Sequence, residues 1–494
     1  MKEYFRKRKL SFLILIILIF NISGGLSQQG LTLEQSLLIA EQNSPSMKKT
    51  RLNLIRNQEN LNAQNASLKS QFSLSLNPIT YNQGKVFNEL ISDYNTQRNI
   101  GSSGTFSIVQ PIILTDATIS LTNNFSYLDS YSQFANLKQK IFSNNLSINL
   151  NQPLFTYNRT KLTLKQLQLA LENSQLAYAI QLLALEKQVT QSFYYVYQQQ
   201  KSLEIANQAY QNTQKNHEVS KNKVDAGISP REEMFQAELN LATAKSDYEN
   251  SLVTLENAKD DFKLLIGMSL YDDLIVLPNI AVDTVSINIT FAIDQGLKNR
   301  MELRQREISI ETAYDNLVQT KALNEFKGNL GLSFGLNGNN STLKDIYTDP
   351  KNNETVSVSF QIPLWDWGEK KSRIKASEAS IESSKIDLSV QQNDIILGVR
   401  QSYRSLNNLQ NQIGIAYQSE KNAQLTYDLN LEKYKNGDLT GMDLNIYQNQ
   451  LSQNKLTYTN AIISYKLELL SLKIQTLYDF EKKEAVIPTK TLKY

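Results

Sequence analysis

The sequence contains no cysteine and a single histidine, and this scarcity excludes several classes of function. Without cysteine the chain has no disulfide, no thiolate nucleophile, no thiolate metal ligand and no lipid-modified cysteine after a leader. His217 lies in a polar run, where we expect a solvent-facing helical residue, because nothing around it supplies a nucleophile or an orienting partner. The sequence therefore predicts that the protein is not an enzyme and has no catalytic residue, no metal site and no cofactor.

Proline and glycine are also scarce, with 9 and 18 occurrences, and no linker rich in them divides the chain. Neither residue occurs from 159 to about 222, and only Gly398 and Gly414 interrupt the stretch from 369 to 436. If helical, each stretch is about 100 Å long, at about 1.5 Å per residue. Apolar residues recur every seven positions in both, which predicts left-handed coiled-coil packing. These positions are Leu164, Leu171, Tyr178 and Leu185 in the first stretch and Ile374, Ile381, Leu388 and Ile395 in the second.

The N-terminal residues have the pattern of a secretory signal peptide, which we place at residues 1–27. Basic residues at positions 6–9 precede an apolar run from 12 to 20 and small residues up to Ser27. The apolar run is shorter than the roughly 20 residues of a membrane-spanning helix, so cleavage is favoured over the alternative of a retained anchor. Loss of this leader lowers the formal net charge from +3 to −1. Because no basic stripe remains, the mature chain is not expected to bind nucleic acid.

The rest of the chain consists of two related halves. The segment at 152–155 recurs at 362–365, and the segment at 223–229 recurs at 433–439, both with an offset of 210 residues. One offset that holds over such a distance predicts two copies of one supersecondary unit. We place the first repeat at 28–268, a connector at 269–288, the second repeat at 289–483 and a C-terminal tail at 484–494.

Each repeat opens with an amphipathic helix, for which Thr32 and Thr290 are the expected N-caps. This pair is offset by 258 residues, so the first repeat contains 48 additional residues before position 152. Alternating apolar and polar residues then predict at least two strands in each repeat, at about 70–155 and about 328–366. The additional part contains strand-like segments at 106–108 and 119–121, which form either a further hairpin or an extension of the first strand.

The alternating segments are apolar on one face and rich in Ser, Asn, Gln and Gly on the other. This pattern is typical of transmembrane β-strands between lipid and a wet lumen, and equally of an antiparallel sheet half-buried on a soluble core. The long helices that follow favour the membrane alternative. Strands in lipid must form a closed barrel, and four strands are too few to close one, so we expect the chain to oligomerise.

Each long helix is predicted to end at a glycine, Gly227 or Gly437, and a second long helix follows, from about 230 to 265 and from about 440 to 480. A glycine after the last periodic residue, followed by a residue that starts a new helix, is typical of a tight helical hairpin. Each repeat is therefore predicted as helix, strands, long helix, turn and long helix.

In this order, and twice over, the motifs resemble those of the TolC-like outer-membrane efflux protein family, over nearly all of the mature sequence. The motifs that carry the resemblance lie at 31–37 with 43–45, at 151–155, at 224–229, at 361–366 and at 434–444. The resemblance implies an α+β membrane protein. Its homotrimer would form a twelve-stranded transmembrane β-barrel, with four strands from each chain, continued by a long periplasmic α-helical coiled-coil barrel.

The resemblance also implies a function. The protein would be the exit duct of a tripartite efflux pump: a passive gated channel, held in outer-membrane lipid, that exports small molecules. It would be joined to a periplasmic adaptor protein and an inner-membrane transporter. Type I protein secretion through the same kind of duct is the alternative.

The resemblance further implies functional residues at the hairpin turns. Glu233 and Asp443 match the gate, where a ring of carboxylates would favour cations, while Ile446 stands where the family has a second gate aspartate. The alternative is that both acids are only first-turn residues favoured by the helix dipole. The matching adaptor-docking tips are Gly227, Ile228, Ser229, Gly437, Leu439 and Thr440, which on the alternative reading only close the turns and cap the helices.

Trp365 and Trp367 follow the last predicted strand, at the depth where aromatic rings anchor to the membrane interface. The alternative for them is packing at the joint between strand and helix. A soluble structural coiled coil is a competing class for the whole chain, and it would explain the heptads without the leader or the alternating strands.

Overall fold

The computed structural model describes residues 30–89, 92–281 and 285–486, so the predicted leader lies outside the described residues. In the first half the chain forms helices α1 (Leu33–Asn43) and α2 (Pro45–Ser67), strands β1 (Gln71–Asn88), β2 (Asp93–Ile112), β3 (Ala117–Ser132) and β4 (Leu137–Leu154), and helices α3 (Arg159–Asp225) and α4 (Arg231–Ile266). In the second half it forms helices α5 (Ile289–Asn299) and α6 (Met301–Lys321), strands β5 (Lys327–Asn340) and β6 (Lys351–Gln361), and helices α7 (Glu369–Asn436) and α8 (Gly441–Thr476). A short pair of strands, β7 (Tyr478–Asp479) and β8 (Glu484–Ala485), follows.

The long helices agree closely with the prediction. Helices α3 and α7 contain 67 and 68 residues, and α4 and α8 contain 36 each. All eight heptad positions are buried or half-buried, as expected for residues that face a neighbouring helix. Helix α8 ends at Thr476, before the predicted limit near 480, because Leu477 adopts the left-handed conformation and Tyr478 enters a strand.

The opening helices show one correct and one wrong N-cap prediction. Thr32 caps α1 in a complete capping box with Gln35. Thr290, by contrast, lies inside α5, and the N-cap is Asn288, whose side chain accepts hydrogen bonds from the backbone of Thr290 and Phe291. Asparagine caps a helix at least as well as threonine, so α5 begins after Asn288, two positions before Thr290.

The described chain divides into two compact units. The first contains the described residues up to Thr50, Tyr178–Arg300 and the residues from Asp394 onward. Its core includes Val399, Leu472 and Tyr465, all at most 2% exposed. An ion pair joins Lys473 Nζ to Glu186 Oε1 at 3.1 Å.

The second unit contains Arg51–Ala177 and Met301–Asn393, and therefore holds all six long strands. Beside them, α3 and α6 are joined by an ion pair of 2.6 Å between Lys165 Nζ and the buried carboxylate of Asp315. Arg304 holds both carboxylate oxygens of Glu172 at 2.7 and 3.1 Å, and this hydrogen bonding lowers the pKa of Glu172.

The long strands form one antiparallel sheet with the order β1-β2-β3-β4-β5-β6. The expectation of four barrel strands per chain is therefore wrong, because the described residues contribute six strands to this sheet. By the repeat offsets, β1 corresponds to β5 and β4 to β6, so the additional 48 residues supply β2 and β3. They form a further hairpin rather than an extension of the first strand, because the chain reverses at residues 113–116.

The two faces of the sheet differ in chemistry. Neighbours across one face, from β1 to β5, are Phe72, Ile108, Leu121, Ile148 and Phe334. Neighbours across the other face, from β1 to β6, are Ser73, Ser107, Thr122, Ser147, Gly335 and Asn353. The predicted alternation is thus present in register on both sides of the sheet. Among the described helices, none combines the length and the apolar character needed to cross a membrane.

Candidate functional site

The two helical turns, predicted as hairpin tips, share one backbone geometry. After α3, Gly227 is left-handed with φ 72°, and the amide of Ile228 returns to the carbonyl of Lys223 at 2.8 Å. After α7, Gly437 has φ 88°, and the amide of Asp438 returns to the carbonyl of Lys433 at 2.9 Å. This bond closes a glycine-terminated helix, and a side chain at either glycine would be strained.

The tip residues present mostly exposed surface. Gly227, Ile228, Gly437 and Thr440 are exposed, and Ser229 and Leu439 are half-buried. Ile228 is 73% exposed. Exposed apolar surface at a turn is available to a partner, while the capping role of its neighbours holds with or without one.

Asp443 takes part in a local capping arrangement at the start of α8. Its amide donates to Thr440 Oγ1 at 3.1 Å, and the Thr440 hydroxyl donates to Asp443 Oδ2 at 2.7 Å. A carboxylate in this first turn also interacts favourably with the helix dipole. Asp443 therefore has the first-turn geometry that the alternative reading describes.

Glu233 has a different environment. It lies in the first turn of α4 and lines a groove of about 420 Å³ together with residues of α3, α7 and α8. Its carboxylate approaches Gly441, the first residue of α8. His217, expected to face solvent, is half-buried on the wall of this groove, because the start of α8 packs beside it. Asp443 is not among the residues that line the groove.

Tyr434 joins the two hairpins and was not singled out as a functional residue from the sequence. It is fully buried, with its hydroxyl 2.7 Å from Ser220 Oγ and donating to the carbonyl of Asn216 at 3.1 Å. Lys223 donates to the Tyr434 carbonyl and lies over the ring at 4.2 Å from its centroid. Burial, with a smaller contribution from Glu233, raises the pKa of the Tyr434 hydroxyl.

Further contacts continue along the same helices. Asn212 of α3 donates to Gln448 of α8 at 2.8 Å, and Gln448 is buried. The contact between Tyr434 and Ser220 has a signal in the sequence. Tyr434 stands where the first half has Val224, and a tyrosine on a heptad face needs a polar partner once it is buried.

The end of the sheet next to the helices carries a cluster of aromatic rings. Phe326 contacts Phe155 and Phe360, with ring centroids 5.3 and 5.5 Å apart. Trp365 and Trp367 form an edge-to-face pair at 5.7 Å and are 75% and 91% exposed. In a single copy of the chain both rings are thus open to solvent, to lipid or to a neighbouring copy.

The polar face of the sheet is linked by side-chain hydrogen bonds between strands. Ser73 and Ser107 lie 2.8 Å apart, and Ser333 donates to Asn149 at 2.7 Å. The apolar face has no such cover, since Phe72 is 68% and Val356 75% exposed. Glu354 on β6 pairs with Phe334 and interrupts this face, but a mainly apolar surface of this extent is typical of one that meets a nonpolar neighbour.

Known proteins are similar to this chain in part of its sequence and in its fold. The model of the outer membrane efflux protein family matches residues 292–473, and no curated protein sequence matches the chain. The CmeC outer membrane channel of Campylobacter jejuni is 14% identical with a TM-score of 0.70, over 93% of this chain and 88% of that chain. The outer membrane protein VceC of Vibrio cholerae is 14% identical with a TM-score of 0.65, over 90% and 95%. The open state of the MtrE outer membrane channel of Neisseria gonorrhoeae is 13% identical with a TM-score of 0.63, over 90% and 88%.

The chain therefore has the fold of bacterial outer membrane channels over about nine-tenths of its length. Its second half carries an outer membrane efflux protein domain, and the resemblance to the TolC-like outer-membrane efflux family is confirmed. This is a family of channel proteins.

Proposed function

We propose that this protein is the outer-membrane exit duct of a tripartite efflux pump, a passive gated channel that exports small molecules. The observation that carries the proposal is the six-stranded sheet with one mainly apolar face and one hydrogen-bonded polar face. Lipid would cover the apolar face, and the polar face would line a wet lumen. A leader at residues 1–27 would export the chain to the outer membrane of a Gram-negative cell.

The length of the apolar face along β4 supports a membrane position for the sheet. On the apolar face, Tyr127 and Phe142 pack with centroids 4.8 Å apart at the end far from the helices. Along β4, about twelve residues separate Phe142 from Leu154 at the other end, or about 40 Å at roughly 3.3 Å per residue. A tilt of about 45° reduces this to about 28 Å, close to the apolar band of about 25 Å in outer-membrane barrels. Trp365 and Trp367 would then lie at the periplasmic interface.

Three copies are proposed to form the duct, with the four long helices of each copy in a helical wall on the periplasmic side. The exposed tips Gly227, Ile228, Ser229, Gly437, Leu439 and Thr440 would contact a periplasmic adaptor protein. An inner-membrane transporter would supply the energy, and the duct itself would provide the path and the gate.

The gate is proposed at the hairpin ends, where Glu233 and Asp443 from each chain would face a narrow opening. The contact of Tyr434 with Ser220 and Lys223 supports this, because it gives the two hairpins a small set of polar bonds that can break as a unit. Opening would separate the hairpins, and closing would restore the buried tyrosine contact.

Ion conductance across a planar bilayer tests the proposal. We compare the wild type with the Glu233→Ala/Asp443→Ala double variant, and with Glu238→Ala as a control, since Glu238 is an exposed acid of the same helix. Discrete cation-preferring steps that lose selectivity only in the double variant are expected. If all three proteins show the same conductance steps with the same selectivity, the gate does not lie at Glu233 and Asp443. Failure of the wild-type protein to insert, with recovery as a soluble species, would refute the channel.

A further inference from the structure

The additional hairpin of β2 and β3 is a full part of the sheet. Strand β2 pairs with β1 from Gln71 to Asn88, and β3 pairs with β4 from Thr118 to Ser132. The same face is apolar on these strands as on β4 and β5, as Ile108 and Leu121 show between Phe72 and Ile148. A loop folded over the outside or into the lumen would not continue both the hydrogen bonds and the face chemistry of its neighbours.

The turn between β2 and β3 is docked at the helical end of the sheet. Asn158 donates to the carbonyl oxygens of Ile113 and Leu114 at 2.6 and 3.2 Å. Asp116 accepts hydrogen bonds from the amides of Arg159 and Thr160 at 3.3 and 3.0 Å, and so caps the start of α3. The hairpin therefore runs the full height of the sheet and back, as a wall strand does.

Within the described part of the chain, β1 and β6 are the two edge strands of the sheet, and their directions fit each other. Strand β1 leads away from the helical end and β6 returns to it, so β1 of one copy beside β6 of another gives an antiparallel pair like the five within the chain. Phe72 on β1 and Val356 on β6 belong to the same apolar face. In hydrocarbon an open edge leaves backbone groups without partners, so a second copy of this chain is the occupant that satisfies both edges.

The additional hairpin leaves the long helices unchanged. The additional 48 residues lie wholly within the sheet, and the long helices of the two halves keep matched lengths of 67 and 68 residues, and of 36 and 36. The hairpin therefore adds strands to each copy without changing the helical wall.

We propose that three copies close a barrel of eighteen strands, with β1 of each copy paired to β6 of the next. The inference rests on the proposed function, from which it takes the three-copy duct, and it replaces the twelve strands expected from the family resemblance. Because barrel diameter grows roughly linearly with strand number, this lumen is about 1.5 times as wide as one of twelve strands. The exit through the membrane would admit correspondingly bulkier molecules.

Cross-linking tests the copy-to-copy edge. Ser73→Cys on β1 and Ser357→Cys on β6 both place a thiol on the polar face, and the chain has no cysteine of its own. With a short bis-maleimide in lipid vesicles, covalent products should end at three copies. As a control, Ser107→Cys and Thr122→Cys are direct partners within one chain and should cross-link only internally. Products that end at two copies would overturn the inference, because two copies close twelve strands and leave the channel intact.

Lumen width is tested with a deletion that preserves register. Removal of residues 85–132 deletes 48 residues and joins Gly84 directly to the turn at 133–136. Gly84 and Ser132 lie in the same row of the sheet, which ends at Leu137 on β4. Gly84 therefore takes the place of Ser132, and the register with β4 is kept. Because the deletion removes Asp116, a second form adds Thr156→Asp, which matches Asp366, the residue that caps α7. Both forms should yield three-copy barrels of twelve strands.

The measured quantity is the largest maleimide-polyethylene glycol that reaches Ser147→Cys on the polar face from the outer side of the vesicle. The full-length protein should admit polymers about 1.5 times larger in radius than the deletion proteins do. Equal cut-offs would overturn the inference. If neither deletion folds, the cross-linking result on the full chain decides. A full-length protein that stays monomeric in lipid and conducts no ions would instead refute the proposed duct.

Discussion

The two halves of the chain agree in their helices and differ in their strands. The long helices match in length to within one residue, yet the first half contributes four strands to the sheet and the second half two. Helices that pack along their whole length must stay matched, because a change in one shifts every contact of its partner. A meandering sheet only adds local pairs, so it can grow by one hairpin and keep the direction and register of all other strands.

The largest expected effect concerns the difference between the two faces of the sheet. Ile148→Arg places a charge on the apolar face, and Ser147→Arg places the same charge one residue away on the polar face. At the bilayer midplane the first should cost about 2–4 kcal/mol and the second little. Urea titration of folding into lipid vesicles measures both. Equal costs would show that the apolar face does not meet lipid.

An ion pair distinguishes the two long helices. Lys165 of α3 pairs with the buried carboxylate of Asp315, whereas Lys375, at the matching position of α7, is exposed. Lys165→Ala should lower the free energy of unfolding by about 2 kcal/mol, because it leaves a buried charge without its partner. Lys375→Ala should change it by less than about 0.5 kcal/mol. Thermal unfolding followed by circular dichroism compares the two, and similar losses would mean that the pair contributes nothing specific.

The two turns differ in how the next helix is capped. Thr440 caps α8 through its side chain, while Pro230 caps α4 without a side-chain hydrogen bond. Thr440→Ala should therefore destabilise its hairpin by about 1 kcal/mol, and Ser229→Ala on the other turn should have little effect. Hydrogen exchange of the first-turn amides of α8 and α4 reports each end separately. Faster exchange at both ends in both variants would contradict this asymmetry.

The smallest expected effect is the alkaline response of Tyr434, whose counterpart in the first half is Val224. Because burial raises the pKa of the hydroxyl, its contribution to stability is complete below the ordinary value near 10 and is lost as pH rises through the raised value. The melting temperature of the wild type should fall more steeply above pH 10 than that of Tyr434→Phe, which has no hydroxyl to ionise. Parallel pH profiles would exclude a contribution from this residue.

The helices could be predicted from the sequence because their signals are local. Seven-residue spacing and a terminal glycine define α7 to the residue at both ends. The strand number could not be predicted in this way. The reversal at 113–116 reads Ile-Leu-Thr-Asp, without glycine, proline or asparagine. It is held instead by Asn158 and Gln152, which lie about forty residues further along the chain.

The same division holds at the hairpin ends. The turns at Gly227 and Gly437 follow from residue type alone, because a left-handed position favours glycine. The contact between Ser220 and Tyr434 joins residues 214 positions apart and depends on how the two helices are aligned. Sequence spacing within one helix contains no information on that alignment.

The hydrogen bonds from Arg159 and Thr160 to Asp116 make the start of α3 depend on the additional hairpin. In the second half Asp366 caps α7 from three residues before the helix, whereas the matching residue of the first half, Thr156, has a buried hydroxyl without a hydrogen-bond partner among the described residues. In the first half Asn158 also caps α3 locally, by accepting from the amide of Lys161 at 2.7 Å. The hairpin residue Asp116 binds the two preceding amides, those of Arg159 and Thr160. A chain without the hairpin would keep the cap from Asn158 but would lose the acceptor of the Arg159 and Thr160 amides. We therefore expect loss of the hairpin to weaken the first turn of α3, unless another residue, such as an aspartate at position 156, accepts from these two amides.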